Sequence, residues 1–568
     1  MQVKLRHHQE NCITTLPSHW LSLPKAFVHQ ARRQPHALAV CDSLGTKLTY
    51  HQLLLKSIAL ANILSKSLNS TMCVGIMLPP SAAAVIANLA VSFLGKIPVN
   101  LNYTAGQKAF DLYLDLCEIK HIISAAPFLK RVQIETRADL IYIESKEDDA
   151  GMLIKLKSWT ETELIPEGVL GEFLYGLSNN HRLDVSKFGL PHREEDSKSK
   201  LNDPATIIFT AGSTSDPKGV VLSHRNILSN ISAIKEQGQI KDGEIVLGVI
   251  PFFHSFGLTM TLWAPLCLGE TVVYHYDPFD ARRIGELCES HKATCLICTP
   301  TMLGLYSRRC RAAQFKSIRV CVVGGEKLKE AQSKQIESAF GIVPLQGYGL
   351  AETSPVVSCN VPNHVTLADG RIIEGNKSGT VGLPIPGTAI KITHADTGAV
   401  LPAGQSGIIN VHGPQVMLGY LKQAGATAKA IKDGWFNTGD IGFLDSDGFL
   451  TVTGRTSQFS KIAGEMVSHM AVEEELYRVS GAAAGELTIA SVPDDRRGER
   501  LVVIYSRMDK EPEQVVDELK KGDLPNLWIP NASDFFKIDA LPVMPNGKLN
   551  LRQIKQIALT CVNPTCQA

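Results

Sequence analysis

Between residues 35 and 145 short apolar runs alternate with stretches of helical period, and this alternation restricts the fold more than any other feature of the chain. Cys73–Leu78 and His121–Ser124 have the length of strands, whereas Ser81–Leu94 carries its apolar residues at helical spacing. Strands separated by helices must be joined by crossovers, which predicts α/β layering around a largely parallel sheet. Residues 146–205 are irregular and close on the polar run PHREEDSKSKLNDP, expected to be a surface loop before the next strand. The α/β pattern resumes to about residue 345, and Gly- and Pro-punctuated strands from 377 to 453, such as GTVGLPIPGTAIKI and SGIINVHG, predict a small β subdomain.

A second change of pattern follows Gly454 and Arg455. A helix is predicted over Ser468–Val479, strands near Leu487–Val492 and Leu501–Ser506, and a helix near Pro512–Lys521. The expected fold class is therefore α/β: a large N-terminal domain of two αβ-layered subdomains plus a small β subdomain, residues 1–454, followed by a small mobile α+β domain, residues 455–568.

Composition narrows the surroundings. Lys and Arg total 57 against 56 for Asp and Glu, so no polybasic surface for nucleic acid is implied. The apolar stretches Ala82–Leu94 and Thr259–Leu268 are too short for a bilayer, which needs about 20 residues, and the N-terminus lacks the apolar core of a secretory signal. Thirteen cysteines, an odd number spread from Cys12 to Cys566, fit a reducing compartment, and the expected location is cytoplasmic. Cys295 and Cys298 have CxxC spacing, but they lie in an apolar strand-like run where residues three apart face opposite ways, so core cysteines are expected there rather than a metal site.

The most informative stretch for chemistry is Ile207–Val221, IIFTAGSTSDPKGVV, in which a strand runs into small hydroxyl residues and then Pro-Lys-Gly. Small residues let backbone amides approach phosphate oxygens, Thr210, Ser213 and Thr214 supply hydroxyls, and Lys218 supplies charge. The GxxxxGK[ST] loop of P-loop nucleotide-binding proteins is absent, and taken alone such a segment is more often an ordinary turn than a phosphate site.

Further motifs appear in order along the chain: Gln346-Gly347-Tyr348-Gly349-Leu350-Ala351-Glu352-Thr353, Trp435-Phe436-Asn437-Thr438-Gly439-Asp440, Gly454-Arg455, and Pro545-Asn546-Gly547-Lys548. Together with the Ser/Thr/Gly loop they make the chain resemble, from about residue 25 to residue 556, the acyl-adenylate-forming superfamily of acyl-CoA synthetases, peptide-synthetase adenylation domains and beetle luciferase. The resemblance implies ATP and Mg²⁺ as cofactors. Glu352 and Thr210 would hold the metal through oxygen, Thr353 would bond the α-phosphate, and Asp440 with Arg455 would take the ribose hydroxyls. Gly324, Gly325 and Glu326, with Gln346, Gly347, Tyr348 and Gly349, would wall the adenine. Lys548 would bridge the oxyanions that develop when a carboxylate attacks the α-phosphate. His254, in PFFHSFG, would stand beside the carboxylate, with a core histidine as the rival reading. The hinge would fall at Ser457, where relatives usually carry Asp or Lys. Lys461 and Gly464 would serve the thioester-forming state. Ala211 and Ser215 depart from the usual loop residues, which implies altered loop stiffness rather than loss of ATP binding.

Within the superfamily, FFHSFGLTMTLWAPL, FSKIAGEMVS and PVVSCNVP resemble the acyl-[acyl carrier protein] synthetase half of bacterial 2-acylglycerophosphoethanolamine acyltransferase/synthetase. That implies a fatty acid as substrate and the phosphopantetheine thiol of acyl carrier protein as acceptor, with CoA as the alternative acceptor. There is no room for the acyltransferase half upstream of residue 25, and the HxxxxD match at His275 and Asp280 is expected to be chance. Phe256–Leu266 and Thr299–Leu303 are candidates for acyl-pocket lining or for ordinary core. Arg496, Arg497 and Arg500 form a small basic cluster that would suit an acidic carrier or simply solvent. A peptide-synthetase module is disfavoured because no carrier domain follows Lys555, and retention of Lys548, Glu352 and Asp440 weighs against a non-catalytic acyl-nucleotide binding protein.

Overall fold

The computed structural model describes residues 16–69, 71–132, 134–143, 188–190, 200–210, 217–237, 241–367, 370–463, 465–483, 485–494, 496–522, 524–543 and 549–562. Its largest sheet has nine strands. Six of them run parallel, in the spatial order Leu345–Gly349, Val320–Val323, Cys295–Cys298, Ile245–Gly248, Thr271–Tyr274 and Leu38–Asp42. Antiparallel strands close both edges, Val356–Cys359 and Leu383–Pro384 on one side and Lys47–Thr49 on the other. A second sheet of four parallel strands orders Ile97–Asn100, Cys73–Ile76, His121–Ser124 and Asp139–Tyr142. Most of these strands are buried along their whole length, as parallel strands covered on both faces must be.

The helix predicted over Ser81–Leu94 spans Ala82–Phe93 and starts where expected, because the Ser81 hydroxyl accepts the Ala84 N–H at 3.3 Å. Nearly every residue of that helix is buried, so it packs inside the domain rather than on its surface. Asp42, at the end of its strand, accepts the Ala82 N–H at 3.2 Å and ties the first residue of this helix to the large sheet. The CxxC pair lies in the fully buried strand Cys295–Cys298, and every cysteine among the described residues is unbridged. No described helix is long and apolar enough to cross a membrane.

The predicted β subdomain begins later than its sequence signals. Leu383–Pro384 joins the edge of the large sheet, and the separate antiparallel sheet comprises Ala389–Thr393, Gly407–His412, Ile431–Lys432, Trp435–Leu444 and Leu450–Arg455. After Arg455 a single turn, Thr456–Gln458, leads into Phe459–Ile462 and a sheet whose apolar residues form their own core around Val472, Leu476, Leu487, Val503 and Val515. Its longest hairpin, Leu487–Asp494 with Gly498–Tyr505, extends beyond both predicted strands because its outer end is charged and gives no apolar alternation. The helices predicted there span His469–Ser480 and Pro512–Leu519.

Candidate active site

The carboxyl ends of the parallel strands open onto a cavity of about 1360 Å³, the position where open α/β sheets bind ligands. Val323 leads to Gly324 and Gly325, Cys298 to Thr299, Gly248 to the segment holding His254, and Gly349 to the turn Ala351–Thr353. All four segments contribute to the cavity wall. Glycine at 349 is a steric requirement, since a Cβ there would stand 2.0 Å from the Pro355 carbonyl oxygen. Gly324 lies under Phe256, whose ring would be 3.5 Å from an added Cβ.

Glu352 is the buried acid of the cavity. Its carboxylate accepts the Tyr420 phenol at 2.8 Å, and burial holds its pKa above the ordinary carboxylate value, with the Tyr420 bond pulling the other way. Tyr420 was not anticipated from sequence. It arrives on the short strand Gly419–Tyr420, which pairs with Gly219–Ser223 so that Tyr420 lies opposite Val220. The same pairing puts the Lys218 ammonium 4.7 Å from the centre of the Tyr420 ring. Lys218 and Thr210 clasp the two ends of the phosphate-loop candidate: the Thr210 N–H donates to the Lys218 carbonyl at 3.0 Å, and the Lys218 N–H donates to the Thr210 hydroxyl at 3.1 Å. Ser213, Thr214, Ala211 and Ser215 lie outside the described residues.

A second cluster flanks the first. Asp440 accepts the Tyr348 phenol at 2.5 Å and the Arg455 Nε at 2.9 Å, its strand pairing with that of Arg455 in register. Burial raises the Asp440 pKa while Arg455 and the two hydrogen bonds oppose the rise. Tyr348, Arg455, Asn437, Thr438 and Gly439 line the cavity, and Asp440, buried and bonded to the first two, does not. Gly347 and Glu326 also line it, Glu326 being fixed by the Thr301 hydroxyl at 2.6 Å. Gln346 lies on the same strand but contributes nothing to the cavity wall.

The remaining residues singled out in the sequence divide sharply. His254 is exposed to the cavity beside Phe253, with ring centroids 4.6 Å apart, so it is not a core histidine. Thr353 is fully buried, and its hydroxyl donates to the Pro355 carbonyl at 2.6 Å, inside the turn rather than toward the cavity. The acyl-lining candidates split, for Phe256, Met260, Thr299, Thr301 and Met302 reach the cavity whereas Leu258, Leu262, Leu266 and Leu303 are core. Lys461 is outside the cavity, its ammonium 2.8 Å from Asp396 in the β subdomain. Ser457 lies in the turn Thr456–Gln458, and Lys548 and Gly464 fall outside the described residues. His275 and Asp280 do meet, at 3.5 Å, but His275 is buried and bonded to Ser43, away from the cavity wall.

A large α/β domain with a cavity at its strand ends, lined by one buried carboxylate, a lysine and the Thr210 hydroxyl, has the make-up of a nucleotide-using enzyme. Residues 27–421 match the AMP-binding enzyme family, and the chain belongs to that family. The chain is similar to the long-chain-fatty-acid–CoA ligase of Bacillus subtilis, 30% identical over 94% of both chains, and to the feruloyl-CoA synthase of Amycolatopsis, 28% identical over 93% of this chain and 97% of the other. The fold is also that of o-succinylbenzoate CoA synthetase from Bacillus subtilis in complex with ATP and magnesium, with a TM-score of 0.73, 22% identity, and coverage of 95% of this chain and all of that one. ATP-bound MatB from Rhodopseudomonas palustris gives a TM-score of 0.69 at 22% identity, covering 94% and 100%. An enzyme of this family is an AMP-forming ligase that works with ATP and Mg²⁺.

Proposed function

We propose that the protein activates a fatty acid with ATP, releasing pyrophosphate to give an acyl-adenylate, and then transfers the acyl group to the thiol of CoA. The observation that carries the adenylation step is the buried Glu352 carboxylate, bonded by Tyr420 and facing a cavity that Lys218 and Thr210 also line. That donor set suits Mg²⁺: a single carboxylate and a hydroxyl, all oxygen, leaving the other positions to phosphate and water. When bound, the cation neutralises phosphate charge. Lys218 adds a fixed positive charge at the same wall, and the Tyr420 phenol orients the carboxylate that would receive the metal. The Arg455-bound Asp440 and the Tyr348 phenol would hold the ribose, Gly324 and Gly325 would admit the flat base, and His254 would sit beside the incoming carboxylate. Lys548 is assigned to the developing oxyanions on its motif. The α-phosphate role expected of Thr353 requires its hydroxyl to leave Pro355. In this reading residues 1–454 form the adenylation core and residues 455–568 a mobile domain turning about Ser457.

A fatty acid is favoured by the apolar wall from Phe256, Met260, Met302, Val322 and Val356, and by the names of the full-length relatives. Those same names move the acceptor from acyl carrier protein, expected from short phrases of sequence, to CoA. Incubation with ATP, Mg²⁺ and a fatty-acid panel, with CoA or holo-acyl carrier protein offered in parallel, tests both choices. Acyl-CoA as the dominant product supports the reading; acyl-carrier product without acyl-CoA overturns the acceptor, and no AMP release with any fatty acid overturns the substrate class.

A further inference from the structure

The segment Leu258–Trp263 is wound as a π-helix between the turn Ser255–Gly257 and the helix Ala264–Leu268, and every residue of it is buried. Such windings are rare and tend to mark functional sites. Two side chains hold it: the Thr261 hydroxyl donates to the Gly257 carbonyl at 2.7 Å, and the Tyr274 phenol donates to the Thr261 carbonyl at 2.5 Å. Met260 forms part of the apolar cavity wall, with Phe256 just before the segment. Thr259, the neighbour of Met260, bonds elsewhere. Its hydroxyl donates to the Ser354 carbonyl at 2.8 Å, across 95 positions, and both residues are fully buried.

Ser354 stands two residues after Glu352 at φ +69°, a left-handed conformation uncommon for serine. Such a conformation persists where the surroundings over-determine it, and here they do. The Ser354 hydroxyl donates to the Gln415 carbonyl at 2.9 Å, and the Glu352 carbonyl accepts the Met417 N–H at 2.8 Å, which ties the turn to the segment leading to Tyr420. The Thr259 bond ties the same turn to the acyl wall. The backbone that carries the Glu352 carboxylate is therefore held from two sides, by the approach to Tyr420 and by the element that presents Met260. A buried Ser354 carbonyl deprived of its donor would carry a free-energy cost that favours a shift of the turn.

We propose that Thr259 is a positioning residue through which the bound acyl chain orders the Glu352 turn, so that chain contacts remote from the carboxyl group raise the rate of adenylation. The inference rests on a fatty acid packing against Met260 and on Glu352 receiving the metal. Contacts with the unreacting part of a substrate accelerate the chemical step when they orient the reacting centre, and truncated substrates then lose kcat. Thr259→Val keeps the shape and removes the hydroxyl, whereas Thr259→Ser keeps the hydroxyl. The test is fatty-acid-dependent ATP–pyrophosphate exchange at saturating Mg²⁺ and ATP, with kcat and KM measured on a panel from hexanoic to palmitic acid and melting temperatures alongside. In wild type kcat should rise along the panel. In Thr259→Val it should fall about tenfold on the long acids and less on the short ones, with KM for the long acids little changed because Met260 remains. Thr259→Ser should restore the slope. Met260→Ala, which interrupts the link from the other side, should flatten the same profile, and it carries the test if Thr259→Val does not fold. A wild-type kcat independent of chain length, or a Thr259→Val loss equal at every length, overturns the proposal alone, since the bond then only holds the fold. A wild type that exchanges with no fatty acid overturns the substrate reading, and the proposal with it.

Discussion

Replacing Tyr420 by Phe removes one hydroxyl and leaves the ring beneath the Lys218 ammonium in place. The lost bond is the 2.8 Å donation to Glu352, a carboxylate that is 8% exposed and whose pKa burial already raises. A hydrogen bond to a charged group is worth about 1.5–3 kcal/mol, and this one favours the ionised form, so its loss should raise the Glu352 pKa further. The phenol is an unfailing donor in wild type, since burial and the neighbouring Glu352 push its own pKa upward. Mg²⁺ needs the ionised carboxylate, so raising its pKa extends protonation to higher pH and weakens binding on the acid side. Titration of Mg²⁺–ATP by calorimetry should show a Kd about tenfold weaker for Tyr420→Phe at the acid end of the profile, the gap narrowing as the pH rises. Tyr420→Ala, which also removes the ring facing Lys218, should be weaker at every pH. An unchanged Kd and an unchanged pH profile in Tyr420→Phe would refute the role given to Glu352.

Three other outcomes are expected. Gly349→Ala drives a methyl into the Pro355 carbonyl and should cost about 1–3 kcal/mol of stability by thermal unfolding, with loss of pyrophosphate exchange as the strand is displaced. Glu270 is buried with one unpaired carboxylate oxygen, and burial raises its pKa to about 8 from 4.5. The folded protein keeps that proton where the unfolded chain has lost it, so stability falls as pH rises from about 4.5 through 8; Glu270→Gln should therefore raise the melting temperature at pH 9 and change it little at pH 5. Asp396→Asn frees Lys461 from an exposed, solvent-screened pair, so thioester formation should change by no more than about fivefold while exchange stays constant; a large loss of exchange would sink the assignment of Lys461 to the second half-reaction.

The α/β layering was legible because strands buried on both faces are apolar throughout and their helices announce themselves by period and cap, as Ser81 does. The glycines and acids of the motifs were legible as residue types with few other uses in that order. What sequence withheld were contacts between distant segments. Tyr420 meets Glu352 across 68 positions and Lys461 meets Asp396 across 65, and neither pair leaves a local pattern. Thr353 shows the opposite limit: the motif names the residue, but only the cavity geometry reveals that its hydroxyl serves the turn. Arg496, Arg497 and Arg500 read as one cluster in sequence and separate in space, because a buried acid takes the third.

Fatty-acid-dependent ATP–pyrophosphate exchange tests the central claim most directly, since it isolates adenylation from any thiol. Purified protein with Mg²⁺ should exchange label into ATP only when a fatty acid is present, and Glu352→Gln should reduce the rate at least tenfold or so, the loss expected for the metal ligand proposed at that position. Exchange that is absent with every fatty acid, in protein that still binds ATP, would contradict the account.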